Sequence, residues 1–218
     1  MFRIQIRNNV PFCKGLFVAA KPSSEIVTEV PEKRVRADAQ RSLDALLVAA
    51  KAVFATSGVD APVREIAEKA GVGVGTVYRH FPHRADLIAA VFKREIDACA
   101  DAAPALAAEY EPFEALVKWL DRYVGFVATK RGLAASLHAG GEAYVGLPTH
   151  RNQRLVPALA RLLDQAVAAG EVRPGVEPYD LLNAVGSLYM TVRDERAAAS
   201  AARMVSLIID GLRYGAKA

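Results

Sequence analysis

The segment Ala70–Phe81, AGVGVGTVYRHF, constrains this chain more than any other. Three glycines at alternate positions are costly inside a helix or a strand, so the run reads as a turn. Its meaning depends on its flanks. Before it, APVREIAEKA places Val63, Ile66, Ala67 and Ala70 at helical spacing. After it, Pro82 closes a short segment, and RADLIAAVFKREIDACADAA resumes a helical period. A loop that cradles a nucleotide phosphate needs a buried strand in front of it. The spacing here also lacks the third glycine of G-x-G-x-x-G, and no G-K-S/T is present. Helix, glycine turn and short helix make a helix-turn-helix instead. In that reading Gly71 takes the left-handed turn and Val72 plugs the gap between the helices. Gly73 caps the short helix, and Val77 and Phe81 pack inward. Gly75 and Thr76 bring the backbone to a groove edge, and Tyr78, Arg79 and His80 project from the exposed face. Hydroxyls and a helix N-terminus suit phosphates, and Arg79 can take guanine O6 and N7 together.

The rest of the chain predicts an all-α protein. Leu43, Leu46, Leu47, Ala50, Val53 and Phe54 form one apolar stripe on a helix beginning at Val35 and ended by Gly58. Asp60 is the expected N-cap of the next helix, with Pro62 in its first turn. The helix after the turn is expected to stop at Pro104. A further amphipathic helix runs along Phe113, Leu116, Val117, Leu120, Val124 and Val127. GLAASLHAG reads as a shorter one. A long helix follows with Pro148 near its start, a kink at Pro157 and Gly170 as its cap. PYDLLNAVGSLYMTV and DERAAASAARMVSLIIDGLR close the chain. No strand-like alternation and no internal repeat intervene. The predicted organisation is a flexible arm over 1–34, a three-helix DNA-binding domain over 35–83, and a helical bundle for ligand binding and dimerisation over 84–218.

Charge and cysteine content narrow the function classes. Lysines and arginines number 28 against 24 acids, a net charge of +4, which permits nucleic-acid binding without establishing it. No run of about 18 uncharged apolar residues is present, so no membrane partner is expected. The apolar piece 15–20 is too short for a signal peptide. Two distant cysteines, Cys13 and Cys99, argue against a disulfide framework and suit a reducing cytoplasm.

VREIAEKAGVGVGTVYRHFPHRADLIAAVF resembles the N-terminal DNA-binding domain of the TetR family of bacterial transcriptional regulators. The pattern I-A-x-x-A-G-V-x-x-G-T-x-Y-x-H-F, followed by a basic residue and a leucine, carries the resemblance over about 35–93. It implies a homodimer that binds a near-palindromic double-stranded operator as a repressor and is released by a small-molecule inducer. It implies that Thr76, Tyr78 and His80 grip the phosphate backbone, that Val74, Gly75 and Arg79 lie nearest the bases, and that Arg84 touches phosphate. Arg64 and Thr56 are further candidates near the second helix. Gly73 departs from the family's frequent serine and loses a hydroxyl contact there. The C-terminal layout is similar to an actinobacterial-type subclass of these regulators.

In the C-terminal half, Trp119, Tyr123, Phe126, His138, Tyr144, Tyr189 and Met190 place aromatic and soft side chains among helices, as a ligand pocket or simply as core. Leu181, Val185, Leu188, Met204, Leu207, Ile208 and Leu212 are candidates for a two-fold interface, with Gly186 and 197–202 small enough for close helix approach. His138, Glu142 and His150 could share a metal, but Gly140 and Gly141 interrupt the helix between the first two. Ser136 and His138 lack a positioned acid. A metal-dependent enzyme is the rival class, and a transcriptional activator the rival polarity. No cofactor is expected beyond an unidentified effector, and no catalysis.

Overall fold

The computed structural model describes residues 32–129, 144–190, 192 and 194–214. Residues 1–31 of the arm, the GLAASLHAG segment, Ser136, His138 and Glu142 lie outside these residues, while 32–34 belong to the first helix, which starts three residues before the expected Val35. Among the described residues eight helices follow one another: α1 Glu32–Ser57, α2 Val63–Ala70, α3 Val74–His80, α4 Arg84–Glu109, α5 Pro112–Thr129, α6 Leu147–Ala168, α7 Pro178–Met190 and α8 Glu195–Arg213. No strand occurs among the described residues. None of their helices is long and apolar enough to cross a membrane.

Two apolar cores organise the chain. The first gathers Leu46, Ala50 and Val53 of α1, Ile66 and Ala67 of α2, Val77 of α3, Phe81, and Leu87 and Val91 of α4. The second is built on Ile88, Phe92, Ile96 and Ala100 of α4, with Leu116, Trp119, Leu120 and Tyr123 of α5. Leu155, Leu159 and Leu162 of α6, Leu182 and Val185 of α7, and Val205 and Leu212 of α8 complete it. Helix α4 therefore serves both cores: Leu87 and Val91 face one, Ile88 and Phe92 the other. Adjacent positions on a helix are about 100° apart, so one 26-residue helix can hold two neighbours at once.

Pro104 does not end α4, which continues to Glu109. Proline removes one backbone donor, a cost of about 3 kcal/mol in an isolated helix. Ala100 and Ala103, just before it, are buried in the second core, and Leu106 and Ala107, just after it, pack against that core. Burial on both sides of the proline outweighs local propensity. Asp60 is likewise not the cap of α2: the residue before the helix is Pro62, and no side chain caps it. The α1–α2 connection is closed by the Ala61 N–H donating to Gly58 O at 3.3 Å. By contrast Asp194 caps α8 through an Ala197 N–H bond of 2.7 Å to its carboxylate.

Candidate nucleic-acid interface and effector cleft

The turn before α3 is built by Gly71, whose φ of 68° is left-handed. The Gly71 N–H donates to Glu68 O at 3.1 Å and the Val72 N–H to Ala67 O at 3.0 Å, closing α2. Val72 then packs, half-buried, against the first core. Gly73 precedes α3 in extended conformation with no side-chain cap. Val77 is 1% exposed and Phe81 is buried, so the inner face of α3 is anchored. The outer face is free: Gly75 and Arg79 are exposed, Val74 is 38% exposed and Tyr78 52%. Thr76 and His80 are half-buried at its edges.

Arg79 lies along its own helix, its Nε–H donating to Gly75 O at 3.3 Å and its Nη2 to Thr76 Oγ1 at 3.4 Å. Both bonds are long and exposed, so the guanidinium can leave them for a base edge at small cost. Arg64 sits on α2 in an exposed pair with Glu68 at 2.9 Å. Thr56 donates back to the Ala52 and Val53 carbonyls of its own helix.

Arg84, the expected phosphate contact of α4, is engaged within the chain here. Its guanidinium turns inward and donates to Val59 O and, at 2.7 Å, to Ala61 O. It therefore ties the first turn of α4 to the α1–α2 loop. The pull is physical: two part-buried carbonyls outside any helix need donors, and a guanidinium fork meets both.

In the helical half, Trp119 and Tyr123 stack with ring centroids 6.0 Å apart and planes 8° from parallel. The Trp119 indole N–H donates to Cys99 O at 2.9 Å. The Tyr123 hydroxyl donates to Leu182 O at 3.1 Å and accepts from Arg151 Nη2 at 2.8 Å. Burial raises the Tyr123 pKa, and the adjacent Arg151 charge opposes the rise. Trp119 is buried in core, Phe126 is buried but borders a separate recess of about 240 Å³ with Glu95, Cys99 and Arg122, and Tyr144 is half-buried. Burial raises the Tyr144 pKa too, with Asp86 adding to it.

Tyr123 and Met190 do line a small cleft of about 180 Å³, completed by Val127, Arg151, Asn183, Gly186 and Ser187. Tyr189 is buried beside it on α7. Neither Arg151 nor Asn183 stood out in the sequence. The available signal was an arginine with Leu147, Arg154 and Leu155 three or four residues away and no acid at that spacing on its helix.

The residues proposed for a subunit interface divide. Leu181, Val185 and Leu212 are buried inside the chain's own core, so they are not surface groups in this conformation. The Val185 face of α7 is taken by α5 and α6, which leaves it nothing to offer a second chain. Leu188 and Ile208 are half-buried against the same core. Met204 at 40% and Leu207 at 61% exposure remain on the outside of α8. Gly186 serves an intrachain approach: a Cβ there would lie 2.7 Å from the Tyr123 hydroxyl oxygen.

His150, the described member of the supposed metal trio, bonds Asp97 of α4 at 2.9 Å. Arg154 joins it, with Nε 2.8 Å from Asp97 and Nη2 2.5 Å from Asp101. This network holds α6 to α4. No group of three metal-ligating side chains occurs among the described residues.

Residues 46–91 match the family description "Bacterial regulatory proteins, tetR family", and residues 111–214 match "Transcriptional regulator SbtR-like, C-terminal domain". Among solved structures, a TetR transcriptional regulator from Streptomyces coelicolor is 38% identical, with 78% of this chain and 97% of that one covered and a TM-score of 0.66. The TetR transcription regulatory protein from Mycobacterium vanbaalenii is 34% identical, covering 82% and 99%, at a TM-score of 0.65. A transcriptional regulator from Cytophaga hutchinsonii shares the fold at 17% identity, covering 79% and 96%, at a TM-score of 0.66. No curated protein matches the chain.

Proposed function

Since the chain belongs to the TetR family and is a DNA-binding transcriptional regulator, we propose that it is a cytoplasmic, ligand-released repressor acting as a homodimer on a near-palindromic operator. The observation that carries this reading is the presentation of α3. Its inner face is anchored by Val77 and Phe81, while Val74, Gly75, Tyr78 and Arg79 stand free on one side. A short helix fixed in this way can enter a major groove end-on, with its first turn against base edges. Tyr78, Thr76 and His80 then meet phosphates on the groove walls.

The shared helix α4 supplies the coupling. Leu87 and Val91 fix it to the reading head, while Asp97 and Asp101 fix it to α6 through His150 and Arg154. An effector that prefers a displaced α6 shifts α4, and with it the separation of the two reading heads across the dimer. Changing that separation lowers affinity without altering any base contact, provided the ligand binds the displaced state better.

Selection of bound sequences from a random duplex library, followed by a salt titration of the winner, tests the core of this reading. A near-palindrome with steep salt dependence, lost in Tyr78→Ala, is the expected result. Absence of any enriched sequence from ligand-stripped protein would count against it.

A further inference from the structure

We infer that the cleft between α5, α6 and α7 binds a small monocarboxylate, with the Arg151 guanidinium as its anchor and Asn183 and Tyr123 holding that guanidinium in place. This rests on the reading of the helical half as an effector domain and names the chemical class of the effector.

A guanidinium carries five N–H donors. Three are used: Nη1 reaches Asn152 Oδ1 at 3.0 Å and Asn183 Oδ1 at 3.1 Å, and Nη2 reaches the Tyr123 hydroxyl at 2.8 Å. The other two have no partner among the described residues, and all three acceptors are neutral. The contrast on the same helix is sharp. His150 and Arg154, one residue before and three after, take both nearby carboxylates, Asp97 and Asp101. Arg151 is left as a half-buried cation without an ion pair among the described residues. Partial burial of an unpaired charge is unfavourable, and an incoming anion relieves it.

The walls choose among anions. Val127 and Met190 give the cleft apolar surface, and Ser187 adds a hydroxyl at its edge. One guanidinium balances one negative charge, which fits a carboxylate better than a phosphate dianion. The volume of about 180 Å³ lies below the roughly 300–1,000 Å³ of drug-sized sites, so the ligand is small. Gly186 keeps the cleft floor open, because a Cβ there would sit 2.7 Å from the Tyr123 oxygen and 3.8 Å from Arg151 Nη2. Arg151 shares its helical turn with His150 and Arg154, which bond α4, while its own bonds run to Tyr123 of α5 and Asn183 of α7.

The test is calorimetric titration of the full chain with sodium butyrate, butyramide and inorganic phosphate, in wild type, Arg151→Gln and Arg151→Lys, with thermal melting of each variant to confirm folding. Butyrate is expected to bind saturably, at least about tenfold tighter than the amide or phosphate. Arg151→Gln should lose that preference, and Arg151→Lys, which keeps the charge but not the planar fork, should fall between. Butyrate binding that is absent, or equal in wild type and Arg151→Gln, overturns the inference. If butyramide binds where butyrate does not, the carboxylate class fails and the effector domain stands. If neither binds, and no small-molecule fraction of a cell extract releases the protein from its selected DNA, both fail together.

Discussion

Single residues separate reading DNA from holding the reader together. Tyr78 is half exposed on α3, so Tyr78→Ala should leave the melting temperature within about 2 °C and weaken operator binding about tenfold or more, measured by fluorescence anisotropy. Arg84 should behave in the opposite way. Arg84→Met strips donors from the Val59 and Ala61 carbonyls and should destabilise the fold by about 1–3 kcal/mol in urea denaturation. Its slope of log affinity against log salt should stay at the wild-type value, whereas removal of a phosphate contact lowers that slope by about one. The residues of α3 were legible because their chemistry is local: turn, anchor and exposed face fall within twelve positions. Arg84 was not, because its acceptors lie 25 and 23 residues away, and nothing in local spacing points to them. Cys99 yields a pH prediction. Burial pushes its thiol from the ordinary 9.0 up to about 12, with Arg122 opposing and Glu95 adding. Between those values the folded chain keeps a proton that the unfolded chain gives up. The stabilisation is complete below pH 9 and is lost as pH rises toward 12. Urea midpoints should fall over that window, and Cys99→Ala should flatten the fall; Tyr123, also raised by burial, leaves a residual slope above pH 10.

Individual helices show where periodicity suffices and where packing overrides it. The α5 pattern of Leu116, Leu120 and Val127 is visible in the sequence and is buried as expected. The seam centres on Trp119 and Tyr123, however, leaving Val117 and Val124 half-buried, because α7 and α4 close on that side. Pro104 was misleading for a related reason: propensity is local, whereas Ala100 and Ala103 are held by a distant helix. The α5–α7 contact depends on Gly186. Gly186→Ala drives a methyl against the Tyr123 hydroxyl, whose ring is stacked on Trp119 and cannot swing away freely. The expected cost is about 1–3 kcal/mol. Tyr123→Phe alone should cost about 1 kcal/mol through its two lost hydrogen bonds. In Gly186→Ala/Tyr123→Phe the oxygen is gone and the nearest remaining tyrosine atom is the ring carbon at 3.6 Å, ordinary contact. The double variant should therefore lose less than the sum of the two, and a strictly additive cycle would mean the clash is relieved elsewhere.

At the scale of the whole molecule, the all-helical class was legible from helical periods without strand alternation, but the use of each apolar face was not. Helices α7 and α8 both carry apolar residues on more than one side, and a sequence does not say which side meets its own chain. The fold answers for Leu181, Val185 and Leu212, which are consumed by the second core. What remains on α8 is a stripe one turn apart, Met204, Leu207 and Gly211, exposed and flanked by half-buried Ile208. An apolar stripe on the terminal helix is costly in water and is the surface a two-fold partner would cover. Leu207→Glu places a charge in that stripe while touching nothing inside the chain. The monomer should therefore keep its melting behaviour when measured at concentrations where the wild type is dissociated. Sedimentation velocity should show dissociation at concentrations where the wild type is dimeric. Operator affinity should fall by at least about tenfold, because the two half-sites then bind separate chains and the effective concentration of the second head is lost. A variant that remains dimeric with unchanged operator affinity would place the interface away from Leu207 and send the search to the other exposed apolar groups, Tyr179 and Met190 of α7.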